Sequence, residues 1–345
     1  MHIGLIGAGN ISDTHARAAS AIPGVTVSAV YARSGADRLA GQHGARAYTD
    51  FERFLDHRPM EIVAIGTPSG LHATHGIAAA ARGLHVLVEK PIDVTVARAD
   101  ALIDAARANG VKLGVFFQDR FAPGVRTLKT LIDEGRLGRP ILASARVKWF
   151  RPREYYAGST WRGTQALDGG GALMNQGVHT ADLLLWLLGP VRSVFAKTAT
   201  ALHTIEVEDL AVAVLEFANG ALATLEATTA AFPGYPRRIE LSGTEGSLVL
   251  EENRLIALDL RTDGRPGPFG RGDSADDSAR ARSAAASSPV VADVSGHRAV
   301  IEDFIQAIAG DRPPYCDGRE GRRSVALVEA IYESARRGVA VDVQR

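Results

Sequence analysis

The sequence has 345 residues, of which 46% are hydrophobic and 23% are charged, and its 39 basic and 39 acidic residues balance to a formal net charge of zero. This length predicts two domains, the composition excludes wholesale disorder, and the lack of a basic excess argues against nucleic acid as a partner. The single cysteine, Cys316, excludes an internal disulfide, and we expect a soluble, cytoplasmic protein because no signal segment or long apolar run is visible.

Short apolar runs alternate with helical patterns over the first third of the chain. Strands are predicted at Ile3–Ile6, Val25–Tyr31, Ile62–Thr67, His85–Glu89 and Lys112–Phe117. Helices are predicted at Asn10–Ala21, Asp37–His43, Phe51–Leu55, His72–Arg82 and Val94–Asn109. This alternation indicates βαβ units and a parallel sheet, whose strand carboxyl ends share one ligand-binding edge.

The pattern changes near Gln118, and we place the domain boundary there, with one domain at 1–120 and the other at 121–345. Strands are predicted at Ile141–Phe150, Val191–Thr200, Leu210–Phe217, Ala221–Ala230, Arg237–Ser242, Ser247–Glu251 and Leu255–Leu260. Helices are predicted at Val125–Glu134, Gly171–Leu188, His297–Ala309 and Arg322–Arg337. Consecutive strands with short turns indicate an antiparallel sheet, and the Gly- and Ser-rich stretch at about 262–289 is typical of a mobile excursion.

The first motif with chemical meaning is Gly7-Ala8-Gly9-Asn10-Ile11-Ser12, which follows a strand and opens a helix. Gly7 permits a tight turn, and Gly9 lets the backbone approach a pyrophosphate at the helix N-terminus. In this context the motif predicts dinucleotide binding, although a purely structural turn is the alternative.

The second strand ends in Tyr31-Ala32-Arg33-Ser34, where NAD-binding folds usually carry an acid. The nearest acid, Asp37, falls on the next predicted helix. Because an Arg at this place can accept a 2′-phosphate, the sequence favours NADP over NAD, with a solvated Arg33 as the alternative.

Glu89-Lys90-Pro91 follows a predicted strand at the same edge of the sheet. Pro91 disfavours helical geometry at Lys90, so this residue is expected to project from the strand end. A lysine beside a nicotinamide ring suits proton exchange with a substrate hydroxyl, whereas a plain surface lysine is the alternative.

Asn175, His179 and Asp182 follow a Gly169-Gly170-Gly171 run and are spaced i, i+4 and i+7. On a regular helix these three residues share one face among apolar neighbours. A polar stripe of this kind is costly unless its groups pair or react, so the pattern indicates a site. No third or fourth ligand is evident for a metal, and none is predicted.

Together these motifs resemble the Gfo/Idh/MocA oxidoreductase family, and the resemblance covers nearly the whole chain. It implies an α/β protein with an N-terminal Rossmann domain, which is a doubly wound parallel sheet. The C-terminal domain is then an α+β domain with a large, mostly antiparallel sheet. It also implies NAD(P)-dependent chemistry on a sugar, cyclitol or related polyol, usually in a dimer or tetramer.

Carried over by position, the resemblance implies roles for individual residues. Cofactor contacts are implied for Gly7, Gly9, Asn10, Ile11, Arg33, Ser34, Thr67, Pro68, Leu71, His72, Glu89, Lys90 and Gln118. Lys90 and His179 are implied as the catalytic pair, and the Lys–Pro peptide is often cis in relatives. Substrate contacts are expected from Asn175, Asp182, Tyr155, Trp161 and Arg162, with Arg153 a weaker candidate.

One departure affects the mechanism, because many inositol-type members carry Asp where this chain has Asn175. An amide cannot act as a general base, so Lys90 and His179 are left to carry the proton work. The hypothesis is hydride transfer between nicotinamide and a C–OH of a sugar, anhydrosugar, glycoside or cyclitol. The alternatives are a carbonyl reductase of keto-sugars or aldoses and a cofactor-bound sugar sensor without turnover.

Apolar residues lie on both faces of the predicted strands 211–215 and 221–225. One face can pack on helices, and the other would stay exposed without a partner. We therefore expect a homodimer or homotetramer formed through the C-terminal sheet.

Overall fold

The computed structural model describes residues 1–261 and 293–344, and it divides the chain into two compact units. Unit 1 comprises Met1–Gln118, Ala166–Gly169 and Val290–Val325; unit 2 comprises Asp119–Gln165, Gly170–Pro289 and Ala326–Arg345. The boundary proposed near residue 120 stays a prediction, and the excursion predicted at about 262–289 lies outside the described residues. Within the described ranges, no helix combines the length and apolar character needed to cross a membrane.

Unit 1 is built on a six-stranded, wholly parallel sheet in the order β3-β2-β1-β4-β5-β6. Its strands are β1 (His2–Ile6), β2 (Thr26–Tyr31), β3 (Arg46–Tyr48), β4 (Ile62–Ile65), β5 (His85–Val88) and β6 (Leu113–Val115). All four residues of β4 are buried, as expected for a strand covered on both faces. This sheet confirms the predicted doubly wound Rossmann arrangement.

Five helices connect these strands. They are α1 (Asn10–Ser20), α2 (Ala36–His43), α3 (Phe51–Leu55), α4 (His72–Ala80) and α5 (Val96–Ala108). Two of them begin with a side-chain cap, since Asp50 accepts from the Arg53 amide at 3.0 Å and Thr95 from the Arg98 amide at 3.3 Å. These two helices therefore start where the sequence supplies an acceptor for an otherwise unbonded amide.

Unit 2 contains an eight-stranded sheet in the order β13-β12-β11-β7-β10-β9-β8-β14. Its strands are β7 (Pro140–Lys148), β8 (Val191–Ala199), β9 (Leu210–Phe217), β10 (Leu222–Thr228), β11 (Arg238–Gly243), β12 (Gly246–Glu251), β13 (Arg254–Leu260) and β14 (Val341–Asp342). Only β7 and β10 pair in parallel in this sheet, so the predicted mostly antiparallel sheet is confirmed. Burial alternates along β9, which gives the sheet one buried and one exposed face.

The helices of unit 2 are α6 (Pro123–Asp133), α7 (Arg153–Ala157) and α8 (Val178–Leu188). The chain then closes with α9 (Ser295–Ala309) in unit 1 and α10 (Gly318–Arg337), which is shared between the residue ranges of both units. The helix predicted at Gly171–Leu188 begins differently, with a π-helical turn at Ala172–Gly177 before α8. The Glu208 carboxylate accepts the amides of Gly171 and Leu173 at 2.9 and 2.8 Å and so anchors the start of this turn.

Candidate active site

The glycine-rich loop of unit 1 lies between β1 and α1. Gly7 has a φ of +117°, and a Cβ there would lie 2.7 Å from the Gly66 carbonyl oxygen, so only glycine fits. Gly9 is exposed, and a Cβ there would meet nothing within 4 Å. No side chain caps α1, and the Ser12 hydroxyl is buried without a hydrogen-bond partner among the described residues. An open helix N-terminus with a free backbone approach fits the pyrophosphate of a dinucleotide.

Cationic side chains follow the end of β2. Arg33 and Ser34 are exposed, and the Arg38 guanidinium donates to the Ala8 carbonyl of the glycine-rich loop at 3.2 Å. Asp37, the nearest acid, is exposed in the first turn of α2. Burial, the charge of His72 and that of Arg33 lower the pKa of His75 to about 4, so its imidazole is neutral at physiological pH. This end of the sheet edge therefore carries the guanidinium groups of Arg33 and Arg38 beside the single carboxylate of Asp37.

His72 ties the loop after β4 to the segment after β5. Its Nδ1 lies 2.8 Å from the Pro91 carbonyl oxygen and its Nε2 lies 2.9 Å from that of Thr67. Burial holds the pKa of His72 below its ordinary value, although both carbonyls oppose this effect. Pro68 precedes a 3-10 turn at Ser69–Leu71, which leads directly into α4. His72 thus links this loop to the Lys90–Pro91 segment.

Glu89 directly follows β5, and its carboxylate binds the backbone amide of Lys90. The Glu89 Oε1 accepts from the His15 Nε2 at 2.8 Å, and the Glu89 Oε2 accepts from the Lys90 amide at 3.2 Å. Burial by itself raises the pKa of Glu89, but the hydrogen bond and charge of His15 and the charge of His297 bring it to about 2. Lys90 is half-buried, and its peptide bond to Pro91 is cis. Glu89 therefore acts in the structure as a buried support for the Lys90 backbone.

His15, Glu89 and His297 form a buried cluster in which the three ligating atoms lie within 4.8 Å of one another. The His15 ring also stacks on Phe116, with the ring centroids 4.2 Å apart. A hydrogen bond joins His15 to Glu89, and the His297 Nε2 lies 3.8 Å from the same Glu89 Oε1. His297 was not recognised from the sequence.

In unit 2 the polar stripe of the predicted helix separates into two environments. Asn175 lies in the π-helical turn and His179 lies in α8, and both are half-buried. Asp182 is buried, and its two carboxylate oxygens accept from Arg120 at 2.8 and 2.5 Å. Arg120 also lies over the Trp186 ring, 5.4 Å from its centroid. Both oxygens of Asp182 thus serve an internal ion pair.

A second carboxylate faces His179. The Asp119 Oδ2 lies 3.6 Å from the His179 Nδ1 and accepts from the Arg237 Nη1 at 2.5 Å, while the Asp119 Oδ1 accepts from the Asn253 Nδ2 at 2.9 Å. Burial opposes ionisation of Asp119, but the charges of Arg237 and His179 hold its pKa far below its ordinary range. His179 therefore has a permanent negative charge beside its Nδ1.

Three of the predicted substrate residues lie together in unit 2. The Arg162 guanidinium carbon is 4.6 Å from the Tyr155 ring centroid and 5.1 Å from that of Trp161. Tyr155 is linked to Asn175 through Gln176, whose amide nitrogen is 3.1 Å from the Tyr155 hydroxyl and 3.1 Å from the Asn175 Oδ1. The result is a wall of aromatic faces next to amide and hydroxyl groups.

Several residues of this arrangement were missed by sequence reasoning. Asp119, Arg237 and Asn253 support one another from distant parts of the chain, and no local spacing indicates this. Arg151 also contacts Tyr155, at 5.5 Å from its centroid, whereas the predicted Arg153 is exposed. Gln118, predicted at the domain junction, is the last residue of the first range of unit 1 and begins a 3-10 turn at Gln118–Phe121.

Comparison with known proteins gives matches to two family models. Residues 1–117 match the oxidoreductase family with an NAD-binding Rossmann fold, and residues 125–249 match the GFO/IDH/MocA C-terminal domain. Inositol 2-dehydrogenase 2 of Saccharopolyspora erythraea is 30% identical, over 76% of this chain and 80% of that protein. Levoglucosan dehydrogenase of Pseudarthrobacter phenanthrenivorans is 29% identical, over 99% of this chain and 98% of that protein.

Solved structures agree over the full length. The WlbA dehydrogenase from Bordetella pertussis, in complex with NADH and UDP-GlcNAcA, has a TM-score of 0.87 and 32% identity, covering 100% of this chain and 99% of that chain. A levoglucosan dehydrogenase in complex with NADH and levoglucosan has a TM-score of 0.85 and 26% identity, covering 100% of both chains. With both domains matched, and with a glycine-rich loop shaped for a dinucleotide, the chain belongs to the GFO/IDH/MocA family of NAD-binding oxidoreductases.

Proposed function

We propose that the protein transfers a hydride between NAD(P) and a C–OH carbon of a sugar, anhydrosugar, glycoside or cyclitol. The observation that carries this proposal is the surrounding of His179 in unit 2. A half-buried imidazole shares its segment with Asn175, and the Tyr155–Arg162 wall adjoins that amide through Gln176. Aromatic faces with amide and hydroxyl groups match the alternating C–H and O–H surfaces of a sugar ring.

The proposed mechanism gives separate tasks to two residues. In oxidation the His179 imidazole accepts the hydroxyl proton, and the Lys90 ammonium donates a hydrogen bond to the same oxygen, which stabilises its developing negative charge. The hydride leaves the carbon as the C=O bond forms, and bound NAD(P) supplies the acceptor carbon of its nicotinamide ring. In reduction the imidazolium of His179 returns the proton. Asn175 orients neighbouring hydroxyl groups, and Asp182 acts indirectly by fixing α8 through Arg120.

The residues that hold the cofactor are proposed from unit 1. Gly7, Gly9, Asn10 and Ile11 bind the pyrophosphate, and the segment Thr67–His72 covers the nicotinamide ribose. Arg33 and Ser34 are proposed at the adenosine ribose, where Arg33 and the absence of an acid at 31–35 favour NADP over NAD. Two relatives of known structure hold NADH, so the ratio of kcat/KM for the two cofactors tests this preference.

We also propose that the protein self-associates through the open face of the unit 2 sheet. Exposed apolar side chains lie on one face of four neighbouring strands; they are Leu142, Phe195, Val212, Val214 and Leu222. Leu142 pairs with Leu222 and Phe195 with Val214 across the strands, so these side chains form one continuous patch. A patch of this kind on a sheet is typical of a subunit interface. A stable monomer in light scattering would reject this part of the proposal.

The proposed activity is tested with a panel of pyranoses, anhydrosugars, glycosides and cyclitols, by the absorbance of reduced nicotinamide with both cofactors. We expect Lys90→Ala and His179→Asn each to lower kcat by about 100-fold or more, because each removes a proton-transfer or oxyanion-stabilising group. Both variants should still bind NADH. The control Lys112→Ala removes an ammonium from unit 1 that pairs with Asp311, and it should keep full activity.

Full turnover in Lys90→Ala would remove Lys90 from the mechanism. Sugar-dependent protection of the wild-type protein against thermal unfolding without any turnover would instead favour the sensor.

A further inference from the structure

The structure places the carboxylate of Asp119 beside His179, which lies 60 positions further along the chain. Four residues before His179 this chain has Asn175, whose amide cannot bear a negative charge. The Asp119 Oδ2 lies 3.6 Å from the His179 Nδ1, and the side chains of Asp119 and His179 are 13% and 12% exposed. We propose that Asp119 is the positioning residue of His179: it holds the imidazole proton on Nδ1 and leaves Nε2 to accept the substrate proton.

This inference rests on the proposed role of His179 and extends it to the choice of ring nitrogen. The neutral imidazole carries its proton on one nitrogen only, and the group that faces each nitrogen decides which. A carboxylate beside Nδ1 favours the proton there and also stabilises the imidazolium that forms when Nε2 accepts a second proton. At 3.6 Å the pair is longer than a hydrogen bond, so its effect is that of a nearby charge.

Asp119 can have this effect because it remains ionised and fixed. Its Oδ2 accepts from Arg237, which is 6% exposed, and its Oδ1 accepts from the Asn253 amide. Asn253 lies with Glu252 in the two-residue turn between β12 and β13, and both residues have positive φ, at +66° and +44°. Two central residues of this kind form the tight turn that hairpins favour. The turn thereby aims the amide of Asn253 at Asp119.

The charged groups around Asp119 partly balance one another. Arg237 shares the same carboxylate oxygen as His179, so it weakens the pull of Asp119 on the imidazole proton. Glu252 in turn accepts from the backbone amide of Arg237 at 2.6 Å and raises the pKa of its guanidinium together with Asp119. Arg120, the next residue in the chain, is engaged by Asp182 instead. Asp119 and Arg237 therefore act on His179 with opposite signs.

These opposite signs define the experiment. The His179 imidazole of the full chain is titrated by NMR, with its signals assigned among the 10 histidines by their loss in His179→Asn. Asp119→Asn should lower the pKa of His179 by about 1 unit, and Arg237→Gln should raise it by a similar amount. Asp133→Asn, the same change at an exposed carboxylate of unit 2, is the matched control and should shift nothing.

Kinetics give a second readout that a merely structural role would not move. In oxidation, kcat/KM falls on the acidic side as the base becomes protonated, and Asp119→Asn should move this limb about 1 unit towards lower pH. The maximal rate should fall about tenfold or more, since part of the histidine population then carries its proton on Nε2. A simple packing defect would lower the rate at every pH without moving the limb.

Two outcomes overturn the proposal. In the first, the His179 titration in Asp119→Asn and Arg237→Gln shifts no more than in Asp133→Asn. In the second, both variants shift it in the same direction. If Asp119→Asn unfolds, the direction of the shift in the His179 pKa is still measured in Arg237→Gln and in the charge-neutral double variant Asp119→Asn/Arg237→Gln. If no sugar is turned over by the wild type, the proposed function fails, whereas the NMR titration still tests the coupling of Asp119 to His179.

Discussion

The sharpest structural prediction concerns Asp182, because the sequence placed it with substrate whereas the structure engages both its oxygens in a buried ion pair with Arg120. At 2.8 Å and an effective dielectric constant of about 20, the gross attraction is about 6 kcal/mol. Removing one partner of a buried pair costs about 3–5 kcal/mol, because the other charge is left without compensation. Asp182→Asn retains one acceptor oxygen, so we expect a loss near the lower end, about 3 kcal/mol.

The assay can be confined to unit 2. All three tryptophans, Trp149, Trp161 and Trp186, belong to unit 2, so intrinsic fluorescence during urea unfolding reports on this unit alone. With a urea m-value of about 3 kcal/mol/M, the midpoint should fall by about 1 M. The matched control is Asp133→Asn, which breaks the exposed pair with Lys129 and should cost less than about 0.5 kcal/mol.

A double variant tests whether the lost stability comes from the unpaired buried charge or from the changed shape of the side chain. Arg120→Met combined with Asp182→Leu removes both charges and should recover most of the lost stability, since no buried charge is left unpaired. The reasoning is refuted if Asp182→Asn unfolds at the wild-type urea concentration and instead raises KM for the sugar. That result would return Asp182 to direct contact with substrate.

Three further predictions follow from the site. Gly7→Ala should weaken NADH binding more than tenfold, as measured by calorimetry, because its Cβ would strike the Gly66 carbonyl. The control Gly83→Ala has a φ of +74° and open space around its Cβ, and it should leave the affinity for NADH unchanged. Because the pKa of Glu89 is lowered to about 2, its carboxylate stabilises the fold fully above pH about 4.5 and loses this effect as pH falls towards 2. Unfolding followed by circular dichroism should therefore show Glu89→Gln to be less stable than the wild type by about 3 kcal/mol at pH 6, and by less at pH 3. An equal loss of stability at both pH values would contradict this. Val214→Glu on the exposed sheet face, where Val214 is 50% exposed, should yield monomers in light scattering, and an unchanged mass would remove this face from the interface.

The elements that could be predicted from sequence are those whose pattern is complete within one stretch of chain. Strand β9 coincides with the predicted Leu210–Phe217, and α3 coincides with the predicted Phe51–Leu55. The missed strands β3 and β14 have only 3 and 2 residues, too few for a period to show. Each of them pairs with a longer strand, β3 with β2 and β14 with β8.

The π-helical turn before α8 shows how a distant group changes a local prediction. The glycine run and apolar spacing predicted a regular helix from Gly171, and the apolar spacing is correct for α8 itself. Glu208, more than 30 residues later, accepts the amides of Gly171 and Leu173 and also the Tyr332 hydroxyl at 2.9 Å. No window around Gly171 contains these partners, so this departure could not be read from the local sequence.

The same distinction explains which parts of the site were predictable. Gly7 and Lys90 lie in motifs whose meaning comes from the strand directly before them. The role of Asp119, in contrast, depends on its ion pair with Arg237, which lies 118 positions further along the chain. The polar stripe combines a local signal with a distant partner. Its periodicity indicated that Asn175, His179 and Asp182 lie on one helix face among apolar neighbours, where burying a polar group is costly. Periodicity alone does not reveal how the free-energy cost of burying a polar group is offset. At Asp182 the guanidinium of Arg120 offsets it, whereas Asn175 and His179 remain half-buried. One sequence signal therefore covered two environments, a fully buried one at Asp182 and a partly exposed one at Asn175 and His179.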